Sequence, residues 1–248
     1  LAVYNDIPGV ERLFEEFGSE IAAVIVEPVG ANMGVVLPQK GFLEKLRELC
    51  TQNETVLIFD EVITGFRLAR GGAQEYYGIE ADLVTYGKII GGGMPVGAYG
   101  GKREIMEVVA PAGSVYQAGT LSGNPVAMAA GLAQLTYLNE HPEVYGQLEQ
   151  AGEKLYGGIK AMCRDLKLPC QVNHVASLGC LFFTPEPVTD YRSAKTSDTE
   201  AFRRYFVHML EHGIYLAPSQ FEAMFLSASH TEEDIRFTLD TMHKYFEK

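Results

Sequence analysis

Residues 54–67 read ETVLIFDEVITGFR, and this stretch decides the fold. Four consecutive apolar residues at 56–59 end at the acidic pair Asp60 and Glu61. A strand that is apolar on both faces is typical of a parallel sheet covered by helices. Similar short apolar runs occur at residues 21–26, 83–86 and 96–99, and residues 40–50 carry apolar side chains at helical spacing. We therefore predict an α/β fold with a mostly parallel sheet.

The pattern changes after Gly123. The spacing of apolar residues and breakers predicts a loop-like stretch at 185–200 and a strand or hairpin at 171–184 that is broken near Gly179. It also predicts helices at residues 126–139, 142–166, 199–212 and 231–247. Helices mixed with a few strands in this order indicate a smaller α+β domain. We place the boundary at the first of these helices, giving domains at residues 1–137 and 138–248.

The composition favours a well-packed globular protein. Apolar residues make up 47% of the 248 residues and charged residues 21%, which allows a sizeable core. The chain has 20 Lys and Arg against 32 Asp and Glu, and the formal charge of −12 opposes binding to nucleic acid or to an anionic membrane surface. We find no bilayer-length apolar stretch and no secretory signal, so we expect a cytoplasmic protein. The first residue is Leu1 rather than Met, which predicts that sequence is missing upstream.

The cysteines predict neither a metal site nor a disulfide framework. They are Cys50, Cys163, Cys170 and Cys180, and their spacing fits no zinc-binding pattern. We interpret them as reduced and mostly buried thiols. We expect no metal.

Lys88 is the most informative single residue. It is the only charged residue between Asp82 and Lys102, and it follows the apolar run at 83–86, where α/β folds bind ligands. A lysine in apolar surroundings loses its proton readily, as a lysine that attacks a carbonyl group must. The alternative is a lysine whose stem is covered and whose ammonium reaches water.

Asp60 closes the strand predicted at 56–59. The separation from Lys88 leaves room for one helical crossover, so the two residues are expected at the same sheet edge on neighbouring strands. A carboxylate there could pair with a cationic heterocycle. Alternatively, Asp60 caps the next helix.

Residues 116–125 read YQAGTLSGNP and precede the helix predicted at 126–139. Small hydroxyl residues before a helix can offer backbone N–H groups and a hydroxyl group to an anion. An ordinary helix cap formed by Ser122 or Asn124 is the alternative.

Several stretches together resemble the class III family of pyridoxal-phosphate enzymes. They are VEPV at 26–29, FDEVITGFR at 59–67, GKIIGGG at 87–93 and GTLSGNP at 119–125. Supporting stretches are NMG at 32–34, VGAYGG at 96–101 and SQFEA at 219–223. The resemblance runs through the whole chain and is strongest to the aminomutase branch of the family. It implies part of the large domain of a fold-type I enzyme, followed by a small domain.

The resemblance also implies roles for individual residues around pyridoxal 5'-phosphate. Lys88 would hold the cofactor covalently and move a proton between two substrate carbons, and Asp60 would keep the ring nitrogen protonated. Val62, on the same strand face as Asp60, would pack under the ring. Thr120 would bind the phosphate of the neighbouring subunit's cofactor across a homodimer interface, with Tyr116 near the phosphate.

Asn32 and Glu222 are implied in the substrate pocket. The implied reaction is an amino-group exchange within one small molecule, which converts glutamate-1-semialdehyde to 5-aminolevulinate in tetrapyrrole synthesis and passes through the pyridoxamine form of the cofactor. The location would be the cytoplasm, or a plastid in a plant or alga.

The sequence departs from the family pattern in one respect, and three alternatives remain. Family members carry a large N-terminal part with a phosphate loop, a ring-stacking aromatic residue and most of the lid, so we expect this chain to be a fragment with an incomplete site. A related ω-aminotransferase is the second candidate, although Ile63 stands where ornithine-type aminotransferases usually have Gln. A catalytically silent fragment is the third, and a nucleotide-binding sheet protein is a distant fourth.

Overall fold

The computed structural model describes residues 1–247 of the chain. Its helices are α1 (Ile7–Phe17), α2 (Phe42–Gln52), α3 (Gly72–Tyr77), α4 (Arg103–Met106), α5 (Pro125–Glu140), α6 (Glu143–Gly152), α7 (Gly158–Asp165), α8 (Tyr191–Ala194), α9 (Thr199–Glu211) and α10 (Glu232–Phe246). Its strands are β1 (Ala23–Val26), β2 (Val56–Asp60), β3 (Leu83–Tyr86), β4 (Ala98–Gly101), β5 (Gln171–Val175), β6 (Leu178–Phe182) and β7 (Met224–Phe225). A π-helical turn, Glu153–Gly157, joins α6 to α7, and a 3₁₀ turn, Lys88–Gly91, follows β3.

The first sheet confirms the predicted α/β fold. Its strand order is β1-β2-β3-β4, in which the first three strands are parallel and β4 is antiparallel to β3. The predicted neighbours β2 and β3 pair directly, and Asp60 lies opposite Thr85. β4 begins two residues later than predicted, because Val96 instead packs against Gly91 in the 3₁₀ turn.

Helices α1 and α2 pack together beside this sheet. The sequence reading did not predict α1, although Asp6 caps its N-terminus and Pro8 stands in its first turn. The shared core contains apolar residues from both helices, from β2 and β3, and from the segment before β3, namely Val10, Phe14, Phe42, Leu43, Leu46, Cys50, Leu57, Phe59, Ile79 and Val84. Burial of these side chains is what orders the layer.

The second sheet is antiparallel, in the order β5-β6-β7. The predicted hairpin is present, but its turn lies at Ala176 and Ser177, so the break predicted near Gly179 is wrong. Gly179 lies inside β6, where a Cβ atom would approach the ring of Tyr156 to 2.6 Å. The glycine therefore provides close packing rather than a chain reversal.

A hydrophobic core joins the segment after β1 to the second sheet. Val29, Val35 and Val36, from the segment after β1, cluster with Leu178 and Phe182 of β6. The same segment is joined to the loop before β7, because the N–H of Gly34 donates to the carbonyl of Phe221 at 2.7 Å. The division into domains at residues 1–137 and 138–248 stays a prediction. None of the helices in residues 1–247 is both long enough and apolar enough to span a membrane.

Asp82, directly before β3, fixes three elements at the amino end of that strand. Its carboxylate accepts hydrogen bonds from the N–H of Leu57 at 2.7 Å, from Arg47 of α2 at 2.9 Å and from Lys102 after β4 at 2.6 Å. Burial alone would raise the pKa of Asp82, but the hydrogen bonds from Lys102, Leu57 and Arg47 outweigh it and the pKa is lowered.

We expect Asp82→Asn to lower the free energy of unfolding at pH 7 by about 1–3 kcal/mol, because charge-assisted hydrogen bonds are lost inside the protein. A lowered folded-state pKa stabilises the fold above the unfolded-state pKa of about 3.9, and this contribution disappears as the pH falls through the folded-state value. Urea unfolding across this pH range should therefore show the variant and the parent converging in acid.

Asp165→Asn is the matched control, because Asp165 pairs with Arg164 in a largely exposed position. Its stability should stay close to that of the parent at neutral pH. A loss as large as that of Asp82→Asn, or a difference for Asp82→Asn that persists in acid, would contradict the structural role of Asp82.

Candidate active site

The carboxyl ends of the parallel strands carry the candidate functional groups. β2 ends at Asp60, β3 is followed by Gly87 and Lys88, and the segment after β1 contains Asn32. Parallel strands in an open α/β sheet end at one common edge, which is where ligands bind in such folds. The predicted placement of Asp60 and Lys88 at one edge, on neighbouring strands, is confirmed.

Asp60 is oriented through one of its two carboxylate oxygens. Oδ1 accepts a hydrogen bond from the hydroxyl of Thr85 at 3.0 Å and from the N–H of Val62 at 3.1 Å. Oδ2 has no hydrogen-bond partner among residues 1–247. The carboxylate is therefore held in place and keeps one oxygen for a ligand.

Glu61, the next residue, is bound to helix α3 instead of being available to a ligand. Its side chain is fully buried and accepts hydrogen bonds from the hydroxyl of Thr64 and from the backbone N–H groups of Ala73 and Gln74 in the first turn of α3. Burial raises the pKa of Glu61, although these hydrogen bonds oppose the rise. Glu61 thus caps the helix after β2, and the alternative that Asp60 is the cap is wrong.

Val62 does not share a strand face with Asp60, so that prediction is wrong. The strand ends at Asp60, because the side chain of Asp60 binds the N–H of Val62 and the chain turns. Val62 nevertheless lies against the chain just before Lys88, since a Cβ atom on Gly87 would be 3.1 Å from its Cγ1. The turn therefore places an apolar side chain beside Gly87, the residue that precedes Lys88.

Lys88 is exposed, which corrects the expectation of a lysine in apolar surroundings. It forms no salt bridge within residues 1–247 and has a positive φ of 48°. L-residues other than Gly, Asn and Asp rarely adopt that conformation, which costs roughly 1–2 kcal/mol. Strained residues of this kind concentrate at functional sites.

Helix α5 holds the turn that carries Lys88. The carbonyl oxygen of Ile90 packs so close to Gly131 of α5 that any Cβ atom there would clash with it. On the other side of the contact, a Cβ atom on Gly92 would lie 2.5 Å from the carbonyl oxygen of Ala130. The close backbone approach therefore requires glycine and fixes the turn on the helix.

A cavity of about 680 Å³ opens between this turn, β4 and the start of α5. Ser122 and Gly123 line one side of it, with Tyr86 and Val96 opposite. Asn124 is the cap of α5, because its Oδ1 accepts from the N–H groups of Val126 and Ala127 at 3.1 and 3.2 Å, as the alternative reading of this stretch expected.

Thr120 and Tyr116 do not meet Asp60 in this chain. Both are exposed, and Tyr116 keeps 82% of its surface accessible. No hydrogen bond of either side chain occurs among the contacts of residues 1–247. Their implied contact with a phosphate stays a prediction.

Asn32 and Glu222 are brought onto adjoining loops. Asn32 donates its side-chain amide to Glu27 at 2.8 Å, and the second oxygen of Glu27 binds the N–H of Ala31 at 2.9 Å. The hydrogen bond between Gly34 and Phe221 joins this loop to the one that carries Glu222. Both side chains are exposed, so their substrate contacts stay predictions.

The sequence reading missed two residues at this edge. Thr85 orients Asp60, but its role depends on strand register, which spacing alone does not reveal. Arg67 lies with its guanidinium 4.4 Å from the ring centre of Phe225 and donates Nε to the carbonyl of Ile63. Burial lowers the pKa of Arg67, and the arginine in the GFR stretch was the available signal.

Comparison with known proteins decides the family. The class-III aminotransferase model matches residues 5–246. The chain belongs to the class-III aminotransferase family. The resemblance seen in the sequence is thereby confirmed.

Several curated proteins that this chain resembles are named aminomutases. Glutamate-1-semialdehyde 2,1-aminomutase 1 of Lachnoclostridium phytofermentans is 66% identical over 99% of this chain and 58% of its own length. The glutamate-1-semialdehyde 2,1-aminomutase of Ruminiclostridium cellulolyticum is 63% identical over 96% of this chain and 55% of its own length. The chain thus spans somewhat more than half the length of the curated relatives it matches.

Solved structures of the class-III family superpose closely. A β-phenylalanine aminotransferase from Variovorax paradoxus has a TM-score of 0.93 and 36% identity, covering 98% of this chain and 56% of that one. An ω-transaminase from Sphaerobacter thermophilus has a TM-score of 0.91 and 34% identity, covering 98% and 56%. A glutamate-1-semialdehyde aminomutase from Pseudomonas aeruginosa PAO1 in complex with PMP has a TM-score of 0.87 and 25% identity, covering 98% and 55%.

The strained backbone at Lys88 leads to a prediction about stability. Lys88→Gly should be more stable than Lys88→Ala by about 1 kcal/mol, because glycine tolerates positive φ. Both variants lose the lysine side chain, so the difference between their stabilities reports the cost of the positive φ at this position. The measurement is the free energy of unfolding in urea.

Lys160 is the matched position, since it is exposed and lies inside helix α7 with an ordinary helical backbone. There the order should reverse, with Lys160→Gly less stable than Lys160→Ala. If glycine is the weaker variant at position 88 as well, the left-handed backbone of Lys88 is not present in solution.

Proposed function

We propose that the protein containing this chain is a pyridoxal-phosphate-dependent glutamate-1-semialdehyde 2,1-aminomutase. The observation that carries the proposal is the pair at the sheet edge: Asp60 keeps one carboxylate oxygen without a partner among residues 1–247, and Lys88 follows the neighbouring strand with an unpaired ammonium group. The similarity of this chain to curated glutamate-1-semialdehyde aminomutases supports glutamate-1-semialdehyde as the substrate.

The residues fit the cofactor of the family. A pyridinium nitrogen needs one anionic acceptor, which Oδ2 of Asp60 provides while Thr85 and the N–H of Val62 fix Oδ1. Lys88 would hold the cofactor covalently through Nζ, and Val62 would contact one face of the ring. When bound, pyridoxal phosphate supplies an electron-withdrawing ring that stabilises negative charge on a substrate carbon.

The chain's own residues then account for proton movement and orientation. Nζ of Lys88 takes a proton from one substrate carbon and returns it to the other, which requires a flexible amine beside both carbons. The 3₁₀ turn on α5 positions the base of that side chain, since Gly131 and Gly92 fix the backbone. Asn32 and Glu222, on adjoining loops, would orient the substrate.

An ω-aminotransferase is the second candidate. The close superposition with an ω-transaminase and a β-phenylalanine aminotransferase favours it. The two activities share the cofactor chemistry and differ in the amino acceptor, because an aminomutase returns nitrogen within one substrate whereas an aminotransferase requires an added keto acid.

The first test uses the native protein loaded with pyridoxal phosphate. Sodium borohydride followed by peptide mapping should place the cofactor on Lys88, and conversion of glutamate-1-semialdehyde to 5-aminolevulinate should proceed without a keto acid. Lys88→Arg should abolish both results, whereas Lys40→Arg, at another exposed lysine, should abolish neither. Labelling of a different lysine refutes the assigned site; strict dependence on a keto acid selects the aminotransferase.

We also propose that the protein is a homodimer in which Thr120 serves the partner's cofactor. Support comes from exposed apolar residues around the start of α5, namely Val115, Tyr116, Leu121, Val126, Met128 and Leu132. Apolar patches of this kind mark interaction surfaces.

Leu132→Asp should therefore shift the native protein from dimer to monomer in sedimentation equilibrium, because a charge would be buried in the interface. Leu210→Asp on α9 is the matched control at another exposed leucine and should leave the dimer intact. A native protein of monomer mass, or equal effects of the two variants, would rule the interface out.

A further inference from the structure

Two cysteines meet where α7 turns into β5. Cys163 lies in the last turns of α7, and the chain reverses so that the N–H of Leu168 donates to the carbonyl of Cys163 at 2.8 Å. The N–H of Cys170 then donates to the carbonyl of Leu168, also at 2.8 Å. This reversal places Cys163 and Cys170 on the wall of one cavity.

The pair differs from the other cysteines in its access to solvent. Cys163 and Cys170 line an open cavity of about 310 Å³, together with Lys160 and Arg164. Cys163 is buried, and Cys170 is half-buried. Cys50 and Cys180, in contrast, are buried in the two other hydrophobic clusters.

Lys160 distinguishes the two thiols. It lies three residues before Cys163 on α7 and lines the same cavity, and a cation beside a thiol favours the reactive thiolate. Contact between the two thiols acts in the same direction, because it lowers the pKa of Cys163 and, together with burial, raises the pKa of Cys170. Cys163 is therefore the attacking thiol, and Cys170 keeps its proton until the second step.

We propose that Cys163 and Cys170 form a redox-active dithiol that an anionic low-molecular-weight disulfide converts into an intrachain disulfide. The thiolate of Cys163 attacks one sulfur of the small disulfide, forming a mixed disulfide and releasing one small thiol after protonation. Cys170 loses its proton and attacks the Cys163 sulfur, which closes the bond and releases a second small thiol. The protein loses two electrons and two protons, and the small disulfide gains them.

The surroundings select this class of oxidant. Lys160 at the cavity forms no ion pair within the part of the chain that the structure describes, so it can attract a carboxylate of the incoming disulfide. The closed ring would contain only the short segment between the two cysteines and would tie α7 to β5. Both elements pack in a hydrophobic cluster that includes Ile159, Val172 and Tyr205 and contains neither Asp60 nor Lys88.

The test uses the native protein, reduced and then treated with oxidised glutathione. After free thiols are blocked with N-ethylmaleimide, a non-reducing tryptic digest should contain the peptide with Cys163 linked to the peptide with Cys170, and dithiothreitol should separate them. Trypsin cleaves at Arg164 and Lys167, so only a disulfide can join the two peptides.

Variants identify the partner and the order of attack. The peptide with Cys170 also contains Cys180, so Cys180→Ser is the matched control and should keep the link, whereas Cys170→Ser should lose it. Cys170→Ser should instead accumulate glutathione on Cys163, with circular dichroism confirming the fold. No link in the folded parent, a link that survives in Cys170→Ser, or an unmodified Cys163 in that variant overturns the proposal.

Discussion

The parallel pairing of β2 with β3 is the constraint on which the candidate site depends. It sets Asp60 opposite Thr85, so the hydroxyl of Thr85 can hold one carboxylate oxygen while the other stays available. A shift by one residue would turn Asp60 to the opposite face and put a different residue beside it. Backbone register, rather than any contact between side chains, therefore decides whether the acid faces the edge that Lys88 shares.

The two ends of β3 show how the same residue types serve stability and binding. At the amino end, the carboxylate of Asp82 accepts hydrogen bonds from a backbone N–H, an arginine and a lysine. Its charge is therefore paired within the protein. At the carboxyl end, Asp60 keeps an oxygen and Lys88 an ammonium group without partners among residues 1–247. Charged groups that are left without partners contribute little to the stability of the fold. They can instead form hydrogen bonds and ion pairs with a ligand.

The sequence predicts the strands of the first sheet well because each is a local apolar run, and burial on both faces leaves such runs few alternatives. It could not separate Asp60 from Glu61, since two adjacent carboxylates differ only in what the fold places around them. The exposure of Lys88 was missed for a related reason: its apolar neighbours, such as Ile90, pack on α5, while Lys88 itself does not. The role of Gly179 could not be predicted either, because Tyr156, the residue it packs against, is distant in sequence.

The exposure of Lys88 and the apolar surface of α5 are connected through one contact. The close approach at Gly131 fixes the Lys88 turn to α5, and the next residue, Leu132, lines the same cavity and keeps 70% of its surface accessible. A second copy docked on this surface would remove water from the surroundings of the same turn. In the proposed homodimer, the second copy would therefore enclose the turn that carries Lys88 as well as supply Thr120.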